Sequence, residues 1–402
     1  MIVSGSLDSV PGFHTAGTSC GIKEGGKPDL GVLLCDVPCC AAGVFTTNRV
    51  QAAPVIYSKN ILSRNAHAIR GIVANSGNAN ACTGERGLRD AAAVAAEAER
   101  IFSLPEGSLL VMSTGVIGKP LPVEKLKAGL GRVQEQFITG SSGSFASAIM
   151  TTDTKEKSLA LKFEIEGVPI KLGAAAKGAG MIHPDMATML AFFTTDAALT
   201  PDALSVVLRQ VTGRTFNRLS VDGDRSPNDS VIMLASGTGG APLIQGPESR
   251  GFSAFYSAVL EAGSSLARMI AADGEGATKL VEIRVKGADT FDSANRVARA
   301  IANSPLVKTA LYGADPNWGR IICAAGYSGA PVEPDKIDIY FGSLLAVKSG
   351  VDAGSDRLKL AGELKKNEIT VTVDLNQGPH ECSFWTCDFS YDYIRINADY
   401  HT

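Results

Sequence analysis

The chemistry of this chain concentrates in residues 177–192. There Lys177-Gly178-Ala179-Gly180-Met181-Ile182-His183-Pro184-Asp185-Met186-Ala187-Thr188-Met189-Leu190-Ala191-Phe192 sets a lysine beside glycine, a proline turn and a small-residue/threonine step against an apolar run. A threonine hydroxyl is a poor nucleophile by itself. A threonine whose preceding peptide bond has been cut carries a free α-amine, ordinary pKa about 7.7–8.0, that can take the hydroxyl's proton. Cutting before Thr188 leaves Ala187 as a new carboxyl end, and so small a residue lets the Thr188 oxygen reach the preceding carbonyl for an N-to-O acyl shift. Without that cut, Thr188 reads as a β-branched strand residue running into Met189-Leu190-Ala191-Phe192-Phe193.

Other groups could serve the same chemistry. Acyl transfer needs donors aimed at a tetrahedral oxyanion, and Thr114-Gly115, at the end of the apolar run Ser108-Leu109-Leu110-Val111-Met112, offers a hydroxyl and an approachable backbone N–H. An ordinary strand-to-loop turn has the same look. Asn75, Asn78 and Asn80 follow another apolar run and read as turn residues rather than substrate contacts. Several familiar motifs fail on inspection. Gly17-Thr18-Ser19-Cys20-Gly21 fits GxSxG, but no helix can open on Ile22-Lys23-Glu24-Gly25-Gly26-Lys27-Pro28. Gly118-Lys119-Pro120 lacks the hydroxyl and first glycine of a P-loop, and Gly274-Glu275-Gly276 lacks the third glycine of GxGxxG. Ser220–Asp229 has Pro227 where a calcium loop needs glycine and no closing glutamate, so it reads as a polar turn.

These groups need a scaffold, and the patterning supplies a mixed α/β one. Asp29–Cys35 and Gly43–Asn48 read as strands, as does Gly71 to Ala74. Glu85 to Phe102 is helical, with Leu88, Val94, Ala95, Ala98 and Ile101 on one face. Pro122-Val123-Glu124-Lys125-Leu126 starts another helix, and Ser147 to Thr154 ends a third. Ser158–Ile165 and Val168–Gly173 alternate around Glu166-Gly167, which predicts a hairpin leading into Lys177. Thr200 caps a helix with Pro201 at its first position and Leu204, Val207, Leu208 and Val211 as its buried stripe; it is expected to pack on the strand after Thr188. Phe252–Ala271 is helical. Leu280–Lys286, Lys336–Phe341 and Glu368–Asp374 are strands, Ser293–Ala302 is a helix, and Phe384 to Ile396 reads as a closing aromatic strand.

Bulk properties narrow the class. A chain of 402 residues with net charge −3, 20% charged and 45% hydrophobic residues is long enough for a large core, and it lacks the strongly basic face of a nucleic-acid binder. No apolar stretch is long enough to span a bilayer, and Met1 to Asp8 lack the basic start and apolar run of a signal peptide, so a cytoplasmic location is expected. Eight cysteines without a zinc-type pair of close doublets, Cys39-Cys40 being adjacent and Cys382 and Cys387 too far apart for CxxC, point to reduced thiols.

The run Ala176 to Leu190 resembles the autocleavage signature of the glutamate N-acetyltransferase (ornithine acetyltransferase) family of arginine biosynthesis. Similar to that family, too, are Thr114-Gly115, the segment Met150-Thr151-Thr152-Asp153-Thr154, Asp273-Gly274-Glu275-Gly276-Ala277 and the ending Arg395 to Thr402. The resemblance spans essentially the whole chain. It implies a self-cleaving, N-terminal-nucleophile-type αββα layered fold of the ornithine acetyltransferase and DmpA-like kind, with a smaller C-terminal α/β part. It implies cleavage between Ala187 and Thr188 into an α chain (1–187) and a β chain (188–402) that share one intertwined fold and pair into a heterotetramer of two α and two β chains. Thr188 is then the nucleophile, Thr114 and Gly115 the oxyanion hole, and Thr151, Lys177, Thr188, Glu275, Asn397 and Thr402 the substrate contacts. The implied reaction moves acetyl from N2-acetyl-L-ornithine to L-glutamate without cofactor or metal. Some members also accept acetyl-coenzyme A, which no residue here decides. Whether Lys177 binds a carboxylate or tunes the nucleophile stays open. A related-fold aminopeptidase would share the Thr188 chemistry but transfer to water, and a non-catalytic scaffold would need no cut.

Overall fold

A computed structural model describes residues 2–140, 143–183 and 189–399. Among them, two sheets carry the fold. The strands of the larger are β1 (Ile2–Val3), β2 (Phe13–Thr18), β3 (Leu30–Phe45), β4 (Ile69–Asn75), β5 (Leu109–Ser113), β6 (Lys157–Ile165), β7 (Val168–Lys177), β8 (Leu190–Thr195) and β9 (Ser230–Ala235). Their order is β1-β6-β7-β8-β9-β3-β4-β5, with β2 also on β3. The two expected strands at 29–35 and 43–48 are thus one long strand. A register shift between Leu34 and Cys39 bends β3, so its first half pairs with β2 and β4 and its second half with β9.

That bend folds the sheet into two facing halves. Alternation then assigns each side chain to a layer. On β7–β9, Ala175, Leu190, Phe192, Ile232 and Leu234 point inward, onto Ile72, Ala74, Leu110 and Met112 of the other half. Phe192 meets Phe145 edge-on at 5.0 Å between ring centroids in this middle layer. The opposite faces are covered by helices. Ala191, Phe193, Val231 and Met233 pack under α5 (Pro201–Arg214) and α6 (Phe252–Ala272), while Leu30, Val32, Val73 and Leu109 pack under α2 (Gly84–Ile101) and α3 (Val123–Thr139). The result is the expected αββα stack. α1 (Ala53–Asn65) and the short α4 (Phe145–Ile149) fill its ends.

Local signals hold closely here. The β6–β7 hairpin turns on Glu166 (φ 51°) and Gly167 (φ 79°), the two left-handed residues of a type I′ turn. Thr200 caps α5 by accepting from the Ala203 N–H, and Leu204, Val207, Leu208 and Val211 are all buried. α5 lies across β3, β9 and α6, and its buried stripe shares one core with Ala191 and Phe193 of β8, as expected.

The C-terminal part is a six-stranded sheet ordered β13-β12-β11-β14-β10-β15, from β10 (Leu280–Ala288), β11 (Asp338–Phe341), β12 (Leu344–Lys348), β13 (Val351–Asp352), β14 (Glu368–Asp374) and β15 (His380–Cys387). α7 (Phe291–Ala302) covers β10 and β15; α8 (Pro305–Tyr312) and α9 (Trp318–Gly326) flank it, and α10 (Arg357–Leu364) lies by β11. The closing aromatic strand is a misreading. β15 ends at Cys387, and Tyr391–Asp399 is a helix, α11. The reason lies at its start: Ser390 Oγ accepts from the Asp392 N–H and donates to the distant Gly276 O, starting a helix at the chain's turn, and Asn397 Nδ2 reaches back to Tyr393 O. The eight cysteines are unbridged. No helix among the described residues is long and apolar enough to cross a membrane.

Candidate active site

Strand ends from both half-sheets converge on one cavity of about 120 Å³, lined by Thr114, Gly115, Ile117, Thr151, Thr152, Lys177, Gly180, Met181, Ser226, Asn228, Glu275 and Asn397. β5 delivers Thr114, β7 delivers Lys177, and the turn into β9 delivers Asn228. Six residues singled out from sequence meet here: Thr114, Gly115, Thr151, Lys177, Glu275 and Asn397. Ala187, Thr188 and Thr402 lie outside the described residues.

Thr114 and Gly115 stand in the turn after β5. Thr114 N–H donates to Asn75 O at 3.0 Å and Val116 N–H to Gly77 O at 3.4 Å; between them, Gly115 N–H has no backbone partner among the described residues. Gly115 has φ 128°, and a Cβ there would sit 2.4 Å from the Gly77 carbonyl carbon, so the close approach demands glycine. Asn75, Asn78 and Asn80 are buried and hold this turn through their side-chain amides, as their turn reading required.

Lys177 is 2% exposed. Its Nζ donates to Thr151 Oγ1 at 2.7 Å and Thr114 Oγ1 at 3.4 Å, and lies 3.9 Å from Asp153 Oδ2. Burial pushes the Lys177 ammonium below the ordinary lysine value, and Asp153 pulls it back up. Asp153 also accepts from Lys157 Nζ (2.7 Å), Gly178 N–H (2.7 Å) and Thr151 N–H (3.0 Å). Burial alone would raise its carboxyl, but Lys177 and Lys157 hold it below the usual carboxylate range. Lys157 in turn meets Asp273 at 2.5 Å, and Asp273 takes the Thr154 hydroxyl and N–H. Two buried cations thus alternate with two buried carboxylates, which keeps each charge paired.

On the far wall, Glu275 Oε2 accepts from Asn397 Nδ2 at 2.8 Å, and its N–H donates to Ala179 O at 2.8 Å. Sequence reading missed the loop 220–230, which braces both flanks of the threonine segment. Asp222 accepts from Met181 N–H (2.6 Å) and Ile182 N–H (2.9 Å); Asp229 accepts from Met189 N–H (3.0 Å). Burial pushes the Asp222 carboxyl up to about 6 and the Asp229 carboxyl well above its usual range. The available signal was an acid-rich stretch directly before an apolar strand.

A cleft between two stacked sheets, with a hydroxyl and a glycine amide beside a buried ammonium and a buried carboxylate, defines an α/β protein equipped to stabilise an oxyanion. The ArgJ family model matches residues 14–402, and the chain belongs to that family. Arginine biosynthesis bifunctional protein ArgJ of Symbiobacterium thermophilum is 46% identical over 402 residues, covering 100% of this chain and 99% of that one. The protein of the same name from Thermotoga neapolitana is 47% identical over 397 residues, 97% of this chain and 99% of that one. The crystal structure of arginine biosynthesis bifunctional protein argJ from Bacillus halodurans matches with 45% identity and TM-score 0.51, over 52% of this chain and 98% of that chain.

Proposed function

We propose that this ArgJ-family protein is an acetyltransferase of arginine biosynthesis that moves acetyl from N2-acetyl-L-ornithine to L-glutamate through an acetyl ester on Thr188. The Thr188 oxygen attacks the acetyl carbonyl and its own α-amine accepts the proton. The Thr114 hydroxyl and Gly115 N–H hold the oxyanion. Ornithine leaves, and the amine of glutamate takes the acetyl group from the ester. The observation that carries this reading is the convergence of Thr114, Gly115, Thr151, Lys177, Glu275 and Asn397 on one cavity that Asn228 also lines, next in sequence to the Asp229 that holds the N–H of Met189, the residue bonded to Thr188.

The geometry favours one role for Lys177. With its ammonium committed to two hydroxyls and facing Asp153, it orients and polarises Thr114 rather than waiting for a substrate carboxylate. Glu275, 8% exposed and paired among the described residues only with the Asn397 amide, suits a substrate ammonium.

Self-cleavage between Ala187 and Thr188 frees the α-amine this mechanism needs. Two observations support it. The Bacillus halodurans polypeptide covers about half of this chain while matching along nearly its full length. Strands from either side of the bond also interleave: β8 and β9 lie between β7 and β3, so neither fragment could complete the sheet alone. The two chains pairing into a heterotetramer, in the cytoplasm, completes the reading. Intact mass with an acetyl-transfer assay tests it. Wild-type protein should give two fragments and acetylate glutamate; Thr188→Ala should stay one chain near 41.8 kDa without activity. Acetyl transfer by an uncut wild-type chain, or by Thr188→Ala, would overturn it.

A further inference from the structure

Asn228 carries a feature that the proposed mechanism leaves unused. The residue is 5% exposed and lines the cavity with Thr114 and Gly115. Its Nδ2 donates to Ala79 O at 2.6 Å and Ser113 O at 2.8 Å. Both partners are carbonyls, which can only accept, so the amide cannot be turned round: the nitrogen must face them and the oxygen must face away. That oxygen is buried and has no hydrogen-bond partner among the described residues. Buried acceptors normally find a donor, and one left without a donor on a residue that lines the cavity suggests that a ligand brings it.

Ser113 directly precedes Thr114, so the Asn228 amide is fastened to the strand end that presents the oxyanion donors. An acyl donor seated with its carbonyl oxygen on Thr114 and Gly115 has its amide nitrogen one bond beyond the carbonyl carbon. We propose that Asn228 is a substrate-positioning residue whose Oδ1 accepts the N–H of the acetamide donor, and that it makes the site selective for amide over ester donors. In the return half-reaction the same oxygen accepts one N–H of the incoming amine and turns its lone pair toward the acetyl ester. An oxygen ester offers a lone pair where the amide offers a hydrogen, and two acceptors then face each other. This inference rests on the acetyl-transfer reading above.

The experiment compares kcat/KM for N2-acetyl-L-ornithine with that for its oxygen analogue, 2-acetoxy-5-aminopentanoate, glutamate being the acceptor. Asn228→Ala should lower the amide-to-ester ratio at least tenfold relative to wild type, since the oxyanion donors serve both substrates alike. Asn228→Asp keeps an acceptor while losing the anchoring NH2; it should retain the amide preference even if both rates fall. Proportional loss of both donors in Asn228→Ala would make the residue a brace alone and overturn the proposal. If Asn228→Ala fails to fold or cleave, the wild-type enzyme decides. A KM at least tenfold higher for the ester analogue is expected, and equal KM values overturn the proposal. Failure of the wild type to acetylate glutamate from the amide would instead sink the underlying function.

Discussion

One ammonium, that of Lys177, lies 2.7 Å from Thr151 Oγ1 and 3.4 Å from Thr114 Oγ1, so it donates to both hydroxyls. A hydroxyl oxygen that accepts from an ammonium keeps its own hydrogen for another partner. Thr114 lines the cavity, so its hydrogen is free for a ligand there, which the proposed mechanism makes the oxyanion. Lys177→Met fills the same space without a donor and should lower kcat about 10²–10³-fold, the scale of one lost oxyanion donor. Thr114→Ala should cost about as much. Because Lys177 acts through Thr114, the double variant should fall little below either single one. Steady-state kinetics on protein verified as cleaved by intact mass checks this, and multiplicative losses would assign Lys177 a separate role.

Asp153 holds the other end of the same chain of charges. Its carboxylate serves Lys157, Lys177, Gly178 N–H and Thr151 N–H at once, and both lysines are buried. Asp153→Asn leaves Lys157 with Asp273 and takes from Lys177 the carboxylate nearest to it. Removing one member of a buried ionic group costs about 3–5 kcal/mol. Urea denaturation should show the midpoint falling with an unchanged m-value. A loss under about 1 kcal/mol would mean the group is solvated in a way its burial denies.

Much of this architecture was open to a reader of the sequence, and what escaped did so for physical reasons. Residues Glu166-Gly167 and Thr200-Pro201 set their own conformations through local sterics and capping, so the hairpin and α5 follow from a few neighbours. The tail Tyr391–Asp399 is different: a short aromatic segment suits strand or helix, and the choice falls to Ser390 meeting Gly276, more than a hundred positions upstream. The cavity residues Thr114, Gly115, Thr151, Lys177, Glu275 and Asn397 were reachable through resemblance. Asp153, Asp222, Asn228 and Asp229 were not. Their partners are backbone groups and lysines brought close only by the sheet, and no spacing rule encodes that. The loop 220–230 departs from a calcium loop at Pro227, and its sequence alone reads as a polar turn.

Gly180 and Glu275 make a steric prediction. A Cβ on Gly180 would lie 2.3–2.4 Å from the Glu275 carboxylate carbon and oxygens, so Gly180→Ala must push that carboxylate aside. The backbone at Gly180 is not in the left-handed region, and the clash is with a side-chain end, so the fold should survive. Displacing the group read here as the ammonium contact should raise KM for the amino-acid substrates about tenfold or more, with a smaller change in kcat. Unchanged KM values would remove Glu275 from substrate binding.

Asp222 and Asp229, the two carboxyls bracing the threonine segment, make stability depend on pH in an unusual direction. Burial raises Asp222 to about 6 against the pull of three backbone N–H donors, and raises Asp229 well above its ordinary value. The folded chain therefore holds these protons more tightly than the unfolded chain, whose aspartates titrate near pH 4. The contribution is full below about pH 4 and is lost for Asp222 as pH rises through about 6. Asp153, held low by Lys177 and Lys157, acts oppositely: its contribution is present above about pH 4 and lost only in stronger acid, outside that window. Denaturation midpoints should thus fall between about pH 4.5 and pH 7, by about 1–3 kcal/mol for Asp222. Asp222→Asn should flatten the part of that slope below about pH 6, and adding Asp229→Asn should flatten it further. A slope that survives both substitutions would place the titrating protons elsewhere in the molecule.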